Sequence, residues 1–137
     1  MRDMAGMTDL TQLLRSLEPV LRSGEFVYAT VLDLPAGLPV EATVREPEGL
    51  TVVLRRDVAD AHGIAYDYVA AWITLTVHSS LEAVGLTAAF ATALAREGIS
   101  CNVLAGHHHD HLLVASADAD RAVQVLRRLA EDAQDMR

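Results

Sequence analysis

The loudest chemical signal in this 137-residue chain is the run Gly106-His107-His108-His109-Asp110-His111. On an extended segment His107, His109 and His111 share one face, successive pairs about 7 Å apart. Imidazoles so spaced can share a divalent ion, zinc above all, with Asp110 orienting a ring or joining the shell. The same run also reads as the turn between two strands, which would break the alternation. No cysteine pair or distant glutamate motif completes a familiar zinc site. The expectation is a polar hairpin without a resident metal or other cofactor, and His107, His109 and His111 are the metal candidates to test.

Other reactive residues point less clearly to chemistry. His78 and Ser79 are neighbours, so their side chains diverge on an extended backbone. No nucleophile elbow or phosphate loop is present. Cys101, the single cysteine, falls in an apolar strand, where a thiol is ordinarily inert and no intrachain disulfide is possible. Glu46 and Glu48 flank Pro47 in a tight turn, which suits a solvated hairpin tip. Trp72 and Tyr28 can line a pocket, although core packing accounts for them equally well. These readings predict no enzyme.

The elements that must position these residues are legible from periodicity. Leu10, Leu13, Leu14 and Leu17 mark a short helix capped by Thr8 and stopped by Pro19. Residues 26–32 read as a strand, and 40–45 with 50–55 as a hairpin around Glu46-Pro47-Glu48-Gly49, where Pro presets φ and Gly accepts a positive one. Asp57 caps a short helix that Gly63 ends. Over 72–78, Ile73, Leu75 and Val77 alternate with Trp72, Thr74, Thr76 and His78, as in a strand with two unlike faces. Ser79-Ser80-Leu81-Glu82 fits a capping box opening a helix that runs to about Glu97 and stops at Gly98. Strands at 100–105 and 111–115 follow. Asp118 caps a last helix with Ala122, Val125, Leu126 and Leu129 inward.

From about Val69 onward the order is β-α-β-β-α, the split βαβ plan short of a final strand. The first half is less regular. With no linker between them, the halves (1–68 and 69–137) are expected to share one sheet or pack directly. The fold class predicted is α+β, with ferredoxin-like halves whose antiparallel sheets carry helices on one face.

The stretch from Ser79 through Gly85-Leu86-Thr87 to Leu94-Ala95-Arg96-Glu97-Gly98-Ile99-Ser100-Cys101-Asn102 resembles an ACT domain. That family places Gly at the turn from first strand to first helix and a "Leu-Ala-x-x-Gly-Ile-x-x-Asn" phrase before the second strand. Arg45 to Gly49, Thr76 to Thr87 and Gly106 to His111 are more narrowly similar to short bacterial proteins made of two ACT-like regions. The resemblance covers nearly the whole chain and extends to the ACT regulatory domains of aspartate kinases. It implies an amino acid or small carboxylate effector, bound where domains pair, with Ser80, Val84, Gly85, Leu86 and Asn102 at the site. Gly85 admits close backbone approach, the helix behind it presents unpaired N–H groups to a carboxylate, and Asn102 offers both a donor and an acceptor. The resemblance also implies a homodimer. No ligand role passes to the first half, which departs from the regular ACT order.

Composition narrows the partners. A formal charge of −8 argues against nucleic acid and anionic membrane surfaces. No apolar run suits a bilayer span or a signal peptide, so a cytoplasmic location is expected. The competing functional readings are a protein-interaction module with an empty pocket and a metal-binding protein centred on the histidine cluster.

Overall fold

The computed structural model describes residues 9–135. The elements in chain order are α1 (Leu10–Arg15), β1 (Pro19–Leu21), β2 (Phe26–Val31), β3 (Ala42–Glu46), β4 (Gly49–Arg55), α2 (Arg56–Ala61), β5 (Val69–Leu75), α3 (Leu86–Arg96), β6 (Asn102–Ala105), β7 (Asp110–Ala115), a 3-10 turn (Ser116–Asp118) and α4 (Ala119–Gln134). All seven strands form one antiparallel sheet in the order β3-β4-β2-β5-β7-β6, with β1 also on β5.

That order holds two copies of one plan. Strands β2, β3 and β4 with β5 give one four-strand unit, and β5, β6 and β7 with β1 give the other. Each half contributes its first strand as the fourth strand of its neighbour, so the place the sequence left vacant after α4 is filled from the N-terminal half. Along β5, β1 and β2 lie end to end: Pro19 faces Leu75 and Leu21 faces Ile73, then Phe26 faces Ala70. Residues 22–25 therefore bulge against residues 71 and 72, and Arg22 N–H donates to Trp72 C=O at 2.9 Å. A bulge of this kind re-aims the side chains it carries.

Helices cover one face. Leu13, Leu14 and Leu17 pack with Phe90 and Leu94 of α3 and Val125 and Leu126 of α4 over Ile73, Leu75, Leu112 and Val114. Further along the same face, Ala59 of α2 lies on Val27, Val52 and Leu54. The other face has no helix among the described residues, yet Phe26, Val53, Ala70, Trp72 and Leu113 are at most 5% exposed there. The sheet curls until Ala42 on edge strand β3 and Leu104 on edge strand β6 join this second core. Burying such side chains is worth about 1.5–3 kcal/mol each, so the concave face is a real contributor to stability.

Several local expectations need correction. Strand β1 is too short to show a period and went unread. Strand β5 ends at Leu75, short of the expected His78, although the Thr76 N–H still donates to Glu18 C=O at 3.1 Å in register with β1. Ser79 caps nothing: α3 begins at Leu86 with Gly85 as N-cap, and Ser79 is buried. Ser80 Oγ instead accepts from Glu82 N–H at 3.1 Å. Asp57 lies inside the first turn of α2, where its charge suits the helix dipole, and Arg55 holds the cap position without a side-chain bond. Asp118 is the N-cap of α4 but gives its carboxylate to Arg121 at 3.0 Å. Thr8 lies outside the described residues; Asp9 caps α1 by accepting from Gln12 N–H at 3.1 Å.

Candidate functional site

The strand-to-helix turn, residues 76–85, brings Ser80, Val84, Gly85 and Leu86 to the start of α3. Gly85 has φ +100°, open to glycine and strained for any other residue, and a Cβ there would meet the Leu10 side chain at 3.0 Å. The close approach that glycine permits is thus used by α1. Leu86 is buried in the helix-side core, while Leu81 and Val84 are 66% and 82% exposed. The turn offers solvent an apolar lip beside a helix start with no side-chain cap.

The histidine run sits against this turn. Residues 106–109 connect β6 to β7, closed by Gly106 N–H on His109 C=O at 2.9 Å. The rings of His78 and His108 stack at 5.0 Å, those of His107 and His108 meet at 4.8 Å, and His109 Nδ1 lies 3.3 Å from Val77 C=O. His107, His109 and His111 do not share a face, because the turn intervenes. Among the described residues no three His, Cys, Asp or Glu side chains are arranged to hold a metal ion.

Asn102 is elsewhere. It faces Leu113 across the ladder on the concave side, in a cleft with Tyr28 and Tyr68 of about 320 Å3. Its amide donates to Leu113 C=O at 3.4 Å, and the buried Tyr68 Oη close by has no partner in hydrogen-bond geometry. Burial raises the Tyr68 phenol above its ordinary range, so it stays protonated as a donor. Burial likewise pushes the Cys101 thiol beside Asn102 up to about 11, which leaves it an unreactive thiol. The structure therefore gathers Ser80, Val84, Gly85 and Leu86 and separates Asn102 from them by the thickness of the sheet.

A larger cavity of about 530 Å3 opens further along the concave face, between β3 and β6. Sequence reasoning missed it because its charged members, Arg22 and Glu41, are 19 residues apart and meet only through the curl. Arg22 Nη1 contacts Glu41 Oε1 at 2.7 Å, and its guanidinium lies over the rings of Phe26 (4.8 Å) and Trp72 (4.9 Å). Opposite, Trp72 Nε1 donates to Thr74 Oγ1 at 3.0 Å, and His111 Nδ1 lies 3.0 Å from the same oxygen. The one available signal was the polar alternation Trp72-Thr74 on the face away from Ile73 and Leu75.

Burial lowers the His111 pKa from its ordinary 6.5, with His109 and Arg22 adding repulsion and Asp110 opposing. The unfolded chain therefore binds this proton first as pH falls, and stability is lost on acidification below about 6.5. Asp110 shifts the other way, raised chiefly by burial, and acts near its own lower range. Denaturant titrations at neutral pH and at about pH 5 should show a fall in unfolding free energy that His111→Gln reduces. Equal slopes in both proteins would refute the assignment.

Two ferredoxin-like units fused through their first strands, with glycine opening the first helix of the second, make the architecture of tandem ACT domains. The chain belongs to the ACT-domain family and carries two such domains in tandem, matched over residues 5–71 and 68–128. It is similar to a Vibrio cholerae protein of unknown function described as a possible transport protein, with 48% identity over 88% of this chain and 95% of that one, TM-score 0.80. An Agrobacterium tumefaciens protein shares the fold at 19% identity, covering 83% of this chain and 89% of its own, TM-score 0.65. So does the regulatory subunit of aspartate kinase from Thermus thermophilus, at 10% identity, 81% and 95% coverage and TM-score 0.59. No curated protein matches the chain. Among the described residues no helix is long and apolar enough to cross a membrane.

Proposed function

We propose that this chain is a cytoplasmic regulatory protein without catalytic activity, binding an amino acid or small carboxylate as a homodimer, with residues 1–68 and 69–137 as its two ACT units. The observation that carries the reading is the turn at Ser80, Val84, Gly85 and Leu86, which leads into a helix without a side-chain cap and leaves Val84 exposed. Aspartate kinase regulatory subunits, which share the fold, lend the analogy. Asn102 is the second contact. The sheet stands between it and the turn, and no small molecule passes through a hydrogen-bonded sheet. One ligand therefore touches both only when they come from two copies, which favours dimerisation at the lip formed by Leu81 and Val84.

Thermal melting against the twenty amino acids tests this. A ligand at a hundred times its dissociation constant adds about 2.7 kcal/mol, a shift of several degrees. A selective rise is expected, reduced in Val84→Glu, whose exposed carboxylate repels an anion at the α3 start without disturbing the core. A flat panel, or a rise indifferent to Val84→Glu, would reject the turn as the effector site. A flat panel together with a dimer by sedimentation would favour a module that binds only protein.

A further inference from the structure

We infer that the cavity between β3 and β6 is a separate binding site for a small, net-neutral zwitterion, whose anionic group engages Arg22 and whose cationic group engages Glu41. This site lies on the concave face, shares no residue with the strand-to-helix turn, and does not depend on the reading given to that turn.

The charges choose the ligand class. Arg22 and Glu41 are paired at 2.7 Å, and their side chains are only 31% and 27% exposed. A simple anion that took Arg22 would give up the contact with Glu41, and a simple cation that took Glu41 would give up the contact with the guanidinium. A molecule carrying both charges replaces the pair and leaves neither group alone. The guanidinium sits 4.8 and 4.9 Å from the ring centroids of Phe26 and Trp72, which limits its freedom, and one of its N–H groups is committed to Glu41.

The rest of the cavity fits such a guest. Its volume of about 530 Å3 lies within the roughly 300–1,000 Å3 range of small-molecule sites. Trp72, Leu104 and Ala42 supply apolar wall, while Thr74 and His111, joined through the Thr74 hydroxyl, supply polar groups that carry no charge at neutral pH. A neutral polar wall opposite a balanced ion pair again disfavours a ligand of net charge.

Trp72 is the chain's single tryptophan, so its emission reports this cavity. The full-length protein is titrated with glycine, alanine, threonine, leucine and glycine betaine, and with the N-acetyl acid and decarboxylated amine of each amino acid. At least one zwitterion should give a saturable change, with its acetylated and decarboxylated forms weaker by about tenfold or more. Arg22→Met should abolish the response. The near-isosteric Glu41→Gln should shift preference toward the N-acetyl acid, since Arg22 then lacks its partner. Val84→Glu should leave the response intact, which separates failure here from failure at the turn. The inference is overturned if no zwitterion changes the emission, if an N-acetyl acid binds wild type as well as its parent, or if Glu41→Gln leaves the preference unaltered.

Discussion

Replacing Phe26 by alanine is expected to lower the free energy of unfolding by about 3–5 kcal/mol, among the largest effects any single truncation can have here. Phe26 is completely buried, on the face of the sheet opposite α1, α3 and α4. It opens β2 opposite Ala70 of β5, at the seam between the halves. Its ring meets Trp72 at 5.3 Å and lies under Arg22 and Arg55, at 4.8 and 5.0 Å. Removing it leaves a cavity that β strands on both sides cannot close without breaking register. Urea unfolding checks the magnitude. A loss under about 1 kcal/mol, typical of a surface site, would mean that the concave face is not a core.

Gly49→Ala is the second large effect, with an expected loss of about 2–4 kcal/mol. Gly49 follows the turn Pro47-Glu48 and pairs with Glu46 at the tip of the β3–β4 hairpin. Its φ of +144° is a region that L residues avoid. A Cβ would also come within 2.9 Å of Thr30 Cγ2 and 3.0 Å of the Val31 carbonyl oxygen. The Thr30 methyl can rotate aside; the backbone oxygen cannot. Glu48→Ala, one residue earlier and exposed, should change stability by no more than about 0.5 kcal/mol. Equal effects of the two substitutions in denaturant titrations would show that the glycine conformation is dispensable.

Much of this fold was legible where periodicity is strong. The stripe Ala122, Val125, Leu126, Leu129 became α4, the alternation around Ile73 and Leu75 became a strand with one face on each core, and Glu46 to Gly49 became a hairpin. What escaped depends on partners distant in sequence. The three residues of β1 are a strand only because β5 is there to receive them. Ser79-x-x-Glu82 has the spacing of a capping box, but its first serine is buried and the helix waits for Gly85. The resemblance put Ser80, Val84, Gly85 and Leu86 with Asn102, and the structure keeps the four turn residues together at the start of α3, but nothing local could say that Asn102 faces the other side. Arg22 and Glu41 carry no motif at all; a bulge and a curl bring them together.

The sharing of β5 bears on how such a protein can change over generations. A duplicated domain ordinarily stays portable, so one copy can be lost, moved or fused elsewhere while the other persists. Here each unit closes its sheet with a strand borrowed from its sibling, so excising either leaves the survivor with an open flank and part of its apolar interior bare. The two units therefore stand or fall together as one structural piece, since neither sheet is complete without its sibling's strand.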